Sequence, residues 1–300
     1  MQQRRRDLRE VVLALGVSEA MPNPFLAPGD LAKSGLSEEL AIRLANPLVF
    51  EESILRTSLR PGLLKAISYN LSHRATGIAL FEIGHVYPAR QDQSQDLLPN
   101  EYESLCIVAA GSTSELAMDW WSQLSAAMGF GAQLDQKSVE PGYHQTRSAS
   151  LRRGKQLLGS VGEIDPLVLA RHGINVSVAC FELNLSVLLN EIPKVSTAKS
   201  VSRFPRSDFD LAFSLPHSEA ASSLLKVLRQ AAGPELVEVS LFDVYRASEK
   251  AQESSTSSRS LTFRFQLQAK DRTLTDAEVS TTRNRCIDAA TKLGAQFRTV

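Results

Sequence analysis

The chain has 300 residues, 43% of them hydrophobic, with 33 basic and 33 acidic side chains and a formal net charge of zero. That balance fits a globular protein of about two domains and excludes disordered and fibrous classes. No apolar run reaches the ~18 residues that read as a membrane span, and no apolar core follows the charged start "MQQRRRDLRE", so the expectation is a cytoplasmic protein without span or signal peptide. Cys106, Cys180 and Cys286 lie far apart with no CxxC or Cys/His spacing, which points to core packing rather than a disulfide framework or zinc site.

In chain order, the first element is "RRRDLREVVLALG". Leu8, Val11, Val12 and Leu15 fall at i, i+3, i+4 and i+7, and Gly16 closes the helix. Arg4 to Arg6 read as a solvated helix face that opposes the helix dipole. "MPNPFLAPGD", broken by three prolines, reads as loop or edge strand. "RPGLLKAISYNLSH" predicts a second helix with Pro61 near its first turn and Leu63, Leu64, Ile67 and Leu71 buried. "ALFEIGHVY" then predicts a strand apolar on both faces, fit for the middle of a sheet, whose only acid is Glu82.

"LPNEYESLCIVAAG" reads as a strand ending at Gly111 and "MDWWSQLSAAMG" as a helix ending at Gly129. "SASLRRGKQLLGSVGEI" predicts a hairpin turning at Gly154, and "VSVACFELNLSVLL" a strand running into a short helix. Strands in an antiparallel set with helices inserted between them predict an α+β domain. The polar stretch "NEIPKVSTAKSVSRFP", framed by Pro193 and Pro205, marks a boundary: one module over residues 1–194, a linker over 195–204, and a second module over 205–300.

In the second module "FDLAFSL" alternates, with Phe209, Leu211, Phe213 and Leu215 inward, and "SEAASSLLKVLRQAAG" is an amphipathic helix. "LVEVSLFDVYR" and "SLTFRFQLQ" are strands; the first changes phase near Leu241 and Phe242, which reads as a bulge. "TDAE" at Thr275 to Glu278 is a capping box opening a helix that runs to Leu293, and "AQFRTV" is a last strand. The order βαββαβ is the ferredoxin-like arrangement. "ASEKAQESSTSS", polar and serine-rich, reads as a mobile loop between the central strands.

Several of these stretches carry a family resemblance. "NPLVFEESILRTSLRPGLLKAISYNLSHRATGIALFEIGHVY" and "GSVGEIDPLVLARHGI" resemble the module of bacterial phenylalanyl-tRNA synthetase β subunits that mimics a class II catalytic core. "FPRSDFDLAF", "LFDVYR" and "SLTFRFQLQAKDRTLTDAEV" resemble that family's ferredoxin-fold anticodon-binding domain. The implied fold class is α+β: a class II synthetase-like antiparallel sheet with helices, followed by a ferredoxin-like βαββαβ domain.

The resemblance also makes Glu82 a question. In class II synthetases the strand similar to "LFEIG" carries an arginine that grips the ATP α-phosphate, because the charge developing there needs a fixed cation. This strand offers Glu82 instead, and "ACFELNLSVLL", where that class has a glycine-rich strand ending in arginine, has neither glycine nor arginine. The resemblance therefore implies no catalytic residue, metal or cofactor in this chain. ATP and Mg2+ would belong to the α subunit of an (αβ)2 heterotetramer that joins phenylalanine to its tRNA. The α subunit and tRNA(Phe) are the implied partners. Family members carry OB-fold, editing and magnesium-binding domains ahead of the matched region, so the chain reads as a C-terminal piece. The alternative is a free-standing, non-catalytic RNA-binding or regulatory relative.

Some positions depart from the family. "YHQTRSASL" resembles an "HPGR" turn with Gln145 and Thr146 in its middle; His144 and Arg147 remain and read either as turn structure or as an interface or ligand pair. Asp165 stands where histidine is usual, and Phe209 where a basic or polar residue commonly precedes Asp210. No nucleophile motif accompanies the five histidines, and "GSVGEI" lacks the lysine of a phosphate loop.

From residue 202 onward there are 14 basic and 12 acidic residues, an excess of only +2, so tRNA contact would need a local patch. Thr262, Arg264, Gln266 and Gln268 would line the open sheet face. The candidate tRNA-binding residues are Arg206, Tyr245, Arg246, Arg264, Lys270 and Arg272, with Tyr245 as the stacking platform.

Overall fold

The computed structural model describes residues 2–39, 41–89, 98–190, 201–216, 219, 221–246 and 258–298. It divides into two compact units, Met1–Val195 and Ser196–Val300.

The first unit begins with α1 (Gln2–Ala14), β1 (Ser18–Glu19), β2 (Phe25–Leu26), α2 (Asp30–Lys33), a 3-10 turn at Phe50–Glu52, β3 (Ile54–Leu55) and α3 (Arg60–Ser72). It continues with β4 (Ala79–Val86), β5 (Tyr102–Ala110), α4 (Ser114–Met128), β6 (Gln133–Asp135), β7 (Tyr143–Arg153), β8 (Gln156–Ile164), α5 (Pro166–Arg171), β9 (Val178–Asn184) and α6 (Leu185–Leu189). Seven strands form one sheet in the order β1-β4-β5-β9-β8-β7-β6. Its pairs are antiparallel except at the β1–β4 edge.

Helices cover both faces of that sheet. Leu8 and Val12 of α1 and Trp120, Trp121 and Leu124 of α4 pack on one side against Phe81, Ile107, Leu151 and Phe181. Leu63, Leu64 and Ile67 of α3 and Val168 and Leu169 of α5 pack on the other, against Val86, Cys106, Val108 and Cys180. Two-sided cover explains why β4, β5 and β9 are apolar on both faces. It also explains why β4 reads as a mid-sheet strand although only the two-residue β1 lies outside it. Arg6 at the start of α1 is exposed as its run predicts, whereas Arg4 and Arg5 are half-buried. Arg4 donates to the Leu189 carbonyl at 2.9 Å and Arg5 to Glu103 at 2.6 Å, so the helix N-terminus is tied to the end of α6 and to β5.

The glycines of "GSVGEI" serve strand packing. A Cβ on Gly159 would lie 2.0 Å from the Glu182 carbonyl oxygen of β9, and one on Gly162 would lie 2.3 Å from the Arg147 carbonyl oxygen of β7. Gly162 also sits at φ 144°, in a region that side chains rarely adopt.

The second unit contains β10 (Ser207–Pro216), α7 (Ala221–Ala232), β11 (Leu236–Arg246), β12 (Ser258–Leu267), α8 (Asp276–Lys292) and β13 (Gln296–Arg298). The strand order β11-β12-β10-β13, antiparallel throughout, is that of the ferredoxin-like fold. Leu211, Phe213, Leu261, Phe263 and Phe265 face Leu224, Leu228, Cys286 and Ala290 of the two helices in one core. Phe209 joins them by stacking on Phe265, ring centroids 4.8 Å apart and 9° from parallel.

The register of β11 on β12 slips between Leu241 and Asp243, a bulge at the predicted place. The Thr275 capping box is formed in both directions. Residues 247–257, read above as a mobile loop, lie outside the described residues. All three cysteines are buried and free. No helix among the described residues is long and apolar enough to cross a membrane.

Candidate functional site

The α3 side of the first sheet carries a row of residues in register: Glu82 of β4 opposite Cys106 of β5, and Cys106 opposite Glu182 of β9. Two carboxylates thus stand on one face, separated by a thiol. Residues 56–59, which connect β3 to α3, run over this row and occupy both. Arg56 Nη1 lies 2.6 Å from Glu82 Oε1, and Arg56 Nε donates to the His85 carbonyl at 2.8 Å. Ser58 Oγ and the Leu59 amide donate to Glu182 at 2.8 and 2.9 Å, so this carboxylate caps the start of α3, where the helix dipole also favours a negative charge.

Burial pushes the Glu82 carboxyl above its usual range, against the pull of Arg56. Its Oε2 is buried without a hydrogen-bond partner among the described residues. These residues do not fit a nucleotide phosphate. An acid stands where the resemblance implies a cation, the nearby guanidinium is committed to that acid, and a second carboxylate lies across the row.

His144 and Arg147 meet through the backbone of their turn and not through the Arg147 guanidinium. His144 Nδ1 accepts from the Thr146 and Arg147 amides at 3.2 and 3.3 Å, holding its own turn, while Arg147 Nε donates to Glu163 at 2.7 Å. Asp165 caps α5 by accepting from the Leu167 amide at 2.7 Å. His172, at the end of α5, meets Ser34 Oγ at 3.0 Å. Burial, with Lys33 and Lys65 nearby, drives its pKa down to about 4. Among the described residues no group of three or more His, Cys, Asp or Glu could hold a metal ion.

In the second unit the sheet face away from the helices is open, and the six candidate residues divide on and around it. Arg264 of β12 is opposite Asp210 of β10 and grips it with two bonds, Nε to Oδ1 at 3.0 Å and Nη2 to Oδ2 at 2.9 Å. Its guanidinium also lies 4.0 Å from the ring centre of Phe242. That bidentate bond holds the Asp210 carboxyl below its usual range. Tyr245 is 63% exposed on β11, opposite Ser260.

Arg206, just ahead of β10, donates to Gln266 at 3.1 Å. Lys270 is exposed beyond the end of β12. Arg272 is drawn away from the face: it bonds Glu278 of α8 at 2.7 Å and Asp271 at 3.2 Å. The Thr275 amide and Arg272 together lower the Glu278 pKa to about 2. Arg246 ends β11, and its side chain lies outside the described residues.

The face is thus a short aromatic and cationic strip, Tyr245–Phe242–Arg264, with Asp210 balancing part of its charge. Two family models match the chain in the order of its two units: the phenylalanyl tRNA synthetase beta chain CLM domain over residues 1–185, and the ferredoxin-fold anticodon binding domain over residues 202–298. The chain belongs to the phenylalanyl-tRNA synthetase β-chain family.

Relatives in this family include the phenylalanine–tRNA ligase beta subunits of Geobacter sulfurreducens, 30% identical over 99% of this chain, and of Cutibacterium acnes, 31% identical over 98% of it. The chain spans 39% of the length of each of these two relatives. A solved pyrrolysyl-tRNA synthetase from Desulfitobacterium hafniense, 18% identical, shares the fold with a TM-score of 0.50, covering 63% of this chain and 67% of that one. Its likeness places the first unit's fold among synthetase cores.

Within this synthetase β-chain frame, the sequence left two features unread. Phe242, 59% exposed, belongs to the open face because the bulge turns it outward, and the only sequence signal was the phase change itself. The partner of Glu82 was hidden in "ILRTSLRPG", where Arg56 sits just beyond a two-residue strand too short to show a period.

Proposed function

We propose that this chain works as the non-catalytic portion of a phenylalanine–tRNA ligase β subunit. Residues 1–194 form the module that docks the catalytic α subunit within an (αβ)2 heterotetramer, and residues 205–300 hold the anticodon region of tRNA(Phe). ATP and Mg2+ act in the α subunit, where the ligase joins phenylalanine to tRNA in the cytoplasm.

The observation that carries this reading is the joint one at Glu82. A synthetase-core fold, matched by a β-chain family model, has an acid paired with Arg56 at the strand position where the resemblance implies a nucleotide-gripping arginine. Such a module keeps a large folded scaffold without the means to bind a triphosphate, which fits a docking role. For the second module, the support is the anticodon-binding family match together with the exposed Tyr245 and Phe242 beside Arg264. Aromatics on an open sheet face suit unpaired bases, and cations around them suit phosphates.

The test is to mix this chain with the α subunit of the same organism, follow the mixture by light-scattering chromatography, and assay phenylalanine charging on the same fractions. A co-eluting complex supports docking. Two separate peaks, with tRNA(Phe) still bound by this chain alone, would favour a free-standing RNA-binding protein.

A further inference from the structure

Three of the four edges of the two large sheets are closed off by their length: β1 has two residues, β6 and β13 three each. β11 is the exception. It is an edge strand of 11 residues bound to β12, and among the described residues no other strand pairs with it. It carries neither proline nor lysine, two residues with which proteins guard such an edge. Helix cover also stops partway along it. Val239, opposite Phe265, is 3% exposed, whereas Leu241 and Val244, on the same helix-facing side opposite Phe263 and Leu261, are 41% and 39% exposed. An uncovered apolar flank beside an unpaired backbone edge suits an added strand.

The strand is complementary to itself. Its register on β12 puts Glu238 and Ser240 on the open face before the bulge and Asp243 and Tyr245 on the same face after it, because the extra residue at Phe242 shifts the phase by one. A two-fold axis through the bulge, between Leu241 and Phe242, therefore keeps like faces together when β11 runs antiparallel to a second β11. It sets Ser240 opposite Asp243 and Tyr245 opposite Glu238 of the other copy, each pair twice. The strand's two acids thus meet hydroxyl donors. On the helix side it sets Val239 beside Val244. Sliding the axis back by one residue would instead oppose Glu238 to Asp243, carboxylate on carboxylate, which cross-strand pairing disfavours.

We propose that β11 is an interface between two copies of this chain, joined edge to edge about that axis into one continuous eight-stranded sheet. The contact belongs to the second unit and needs neither the α subunit nor tRNA, so it stands apart from the docking and RNA roles. The open faces of the two copies become one, doubling its aromatic strip. One strand pair is a small interface, so the dimer is weak and forms with rising concentration.

The test is analytical ultracentrifugation of the 300-residue chain alone, from about 5 µM to about 1 mM, with thermal melts to show that each variant is folded. The chain should pass from monomer to dimer with a Kd on the order of 100 µM. Val244→Lys, which places a charge on the uncovered flank, should hold it monomeric. Ser240→Asp, at an exposed position, sets carboxylate against carboxylate twice and should weaken the dimer at least about tenfold; adding Asp243→Ser exchanges the two partners and should restore it. A chain still monomeric at about 1 mM would overturn the proposal. So would a dimer indifferent to Val244→Lys and Ser240→Asp, or an exchange that restores nothing. Hydrogen-exchange protection of β11 that appears only with tRNA(Phe) or the α subunit would give the edge to that partner and overturn it as well.

Discussion

Arg56 and Glu82 meet at 2.6 Å with both side chains less than a tenth exposed, an ion pair enclosed between the β3–α3 connection and the sheet. At the strand position where the class II resemblance implies a cation, the acid has an internal partner. The pair joins the connection to β4, and Glu182 joins the same connection to β9 two and three residues later.

Breaking that pair from one side should cost far more than removing it whole. Glu82→Gln leaves the Arg56 charge buried and unmatched, and should destabilise the first unit by about 3–5 kcal/mol. The double change Arg56→Met with Glu82→Leu should recover most of that loss. Urea unfolding of Glu82→Gln and of the double variant checks this; a double variant as unstable as Glu82→Gln would refute it.

Acid should loosen the first unit before the second. His172 takes up a proton at about 4 when folded but near its ordinary 6.5 when unfolded, so the unfolded state binds more protons between those values. Stability contributed by neutral His172 is therefore whole above pH 6.5 and is lost as pH falls toward 4. Glu278, a carboxyl lowered to about 2, acts in a lower window: its contribution is present above about 4.5 and lost as pH falls toward 2. His172→Gln should flatten the upper window alone in melting temperatures recorded from pH 7.5 to 3.5.

On the open sheet face proposed to meet RNA, Asp210 restrains Arg264. Asp210→Asn should free that guanidinium, tighten tRNA(Phe) binding and steepen its salt slope by about one counterion. Phe242→Ala and Tyr245→Ala should each weaken binding by about 1–3 kcal/mol per base lost from a ring, without unfolding the domain. Filter binding across a salt series reads both effects. Arg272→Ala, a residue tied to Glu278, should lower the stability of α8 more than it lowers RNA affinity.

The strand glycines offer a severe structural test. Gly159→Ala places a methyl group 2.0 Å from the Glu182 carbonyl oxygen, a clash with backbone that no rotamer relieves. Soluble, folded yield should collapse, whereas Gly154→Ala in the exposed hairpin turn should cost only the strain of its left-handed φ of 57°. Comparable yields for the two would show that β8 and β9 separate more readily than their register implies.

Local pattern carried most of the architecture. The 3.6-residue period of α1 and α3, the alternation of β10 and β12, the TDAE cap and the bulge in β11 are each written within about a dozen neighbouring residues, and each appears where its pattern puts it. The same logic failed for β1, β3 and β6, which are two or three residues long and have no period to read, whereas β2 falls in the proline-broken stretch read as loop or edge strand. It also misjudged Arg4 and Arg5, whose partners Leu189 and Glu103 lie 185 and 98 residues away.

The sequence by itself therefore determined the two folds, their order and the family, because propensity, period and capping are local properties that neighbouring side chains impose on the backbone. Only the tertiary structure decided what the charges do. Glu82 pairs with a residue 26 positions away, Glu182 with a connection 123 positions away, and the Arg60 guanidinium comes to lie over the Tyr143 ring, because strand register and helix cover choose those neighbours. A carboxylate in a string of letters has no partner until the sheet brings one to it.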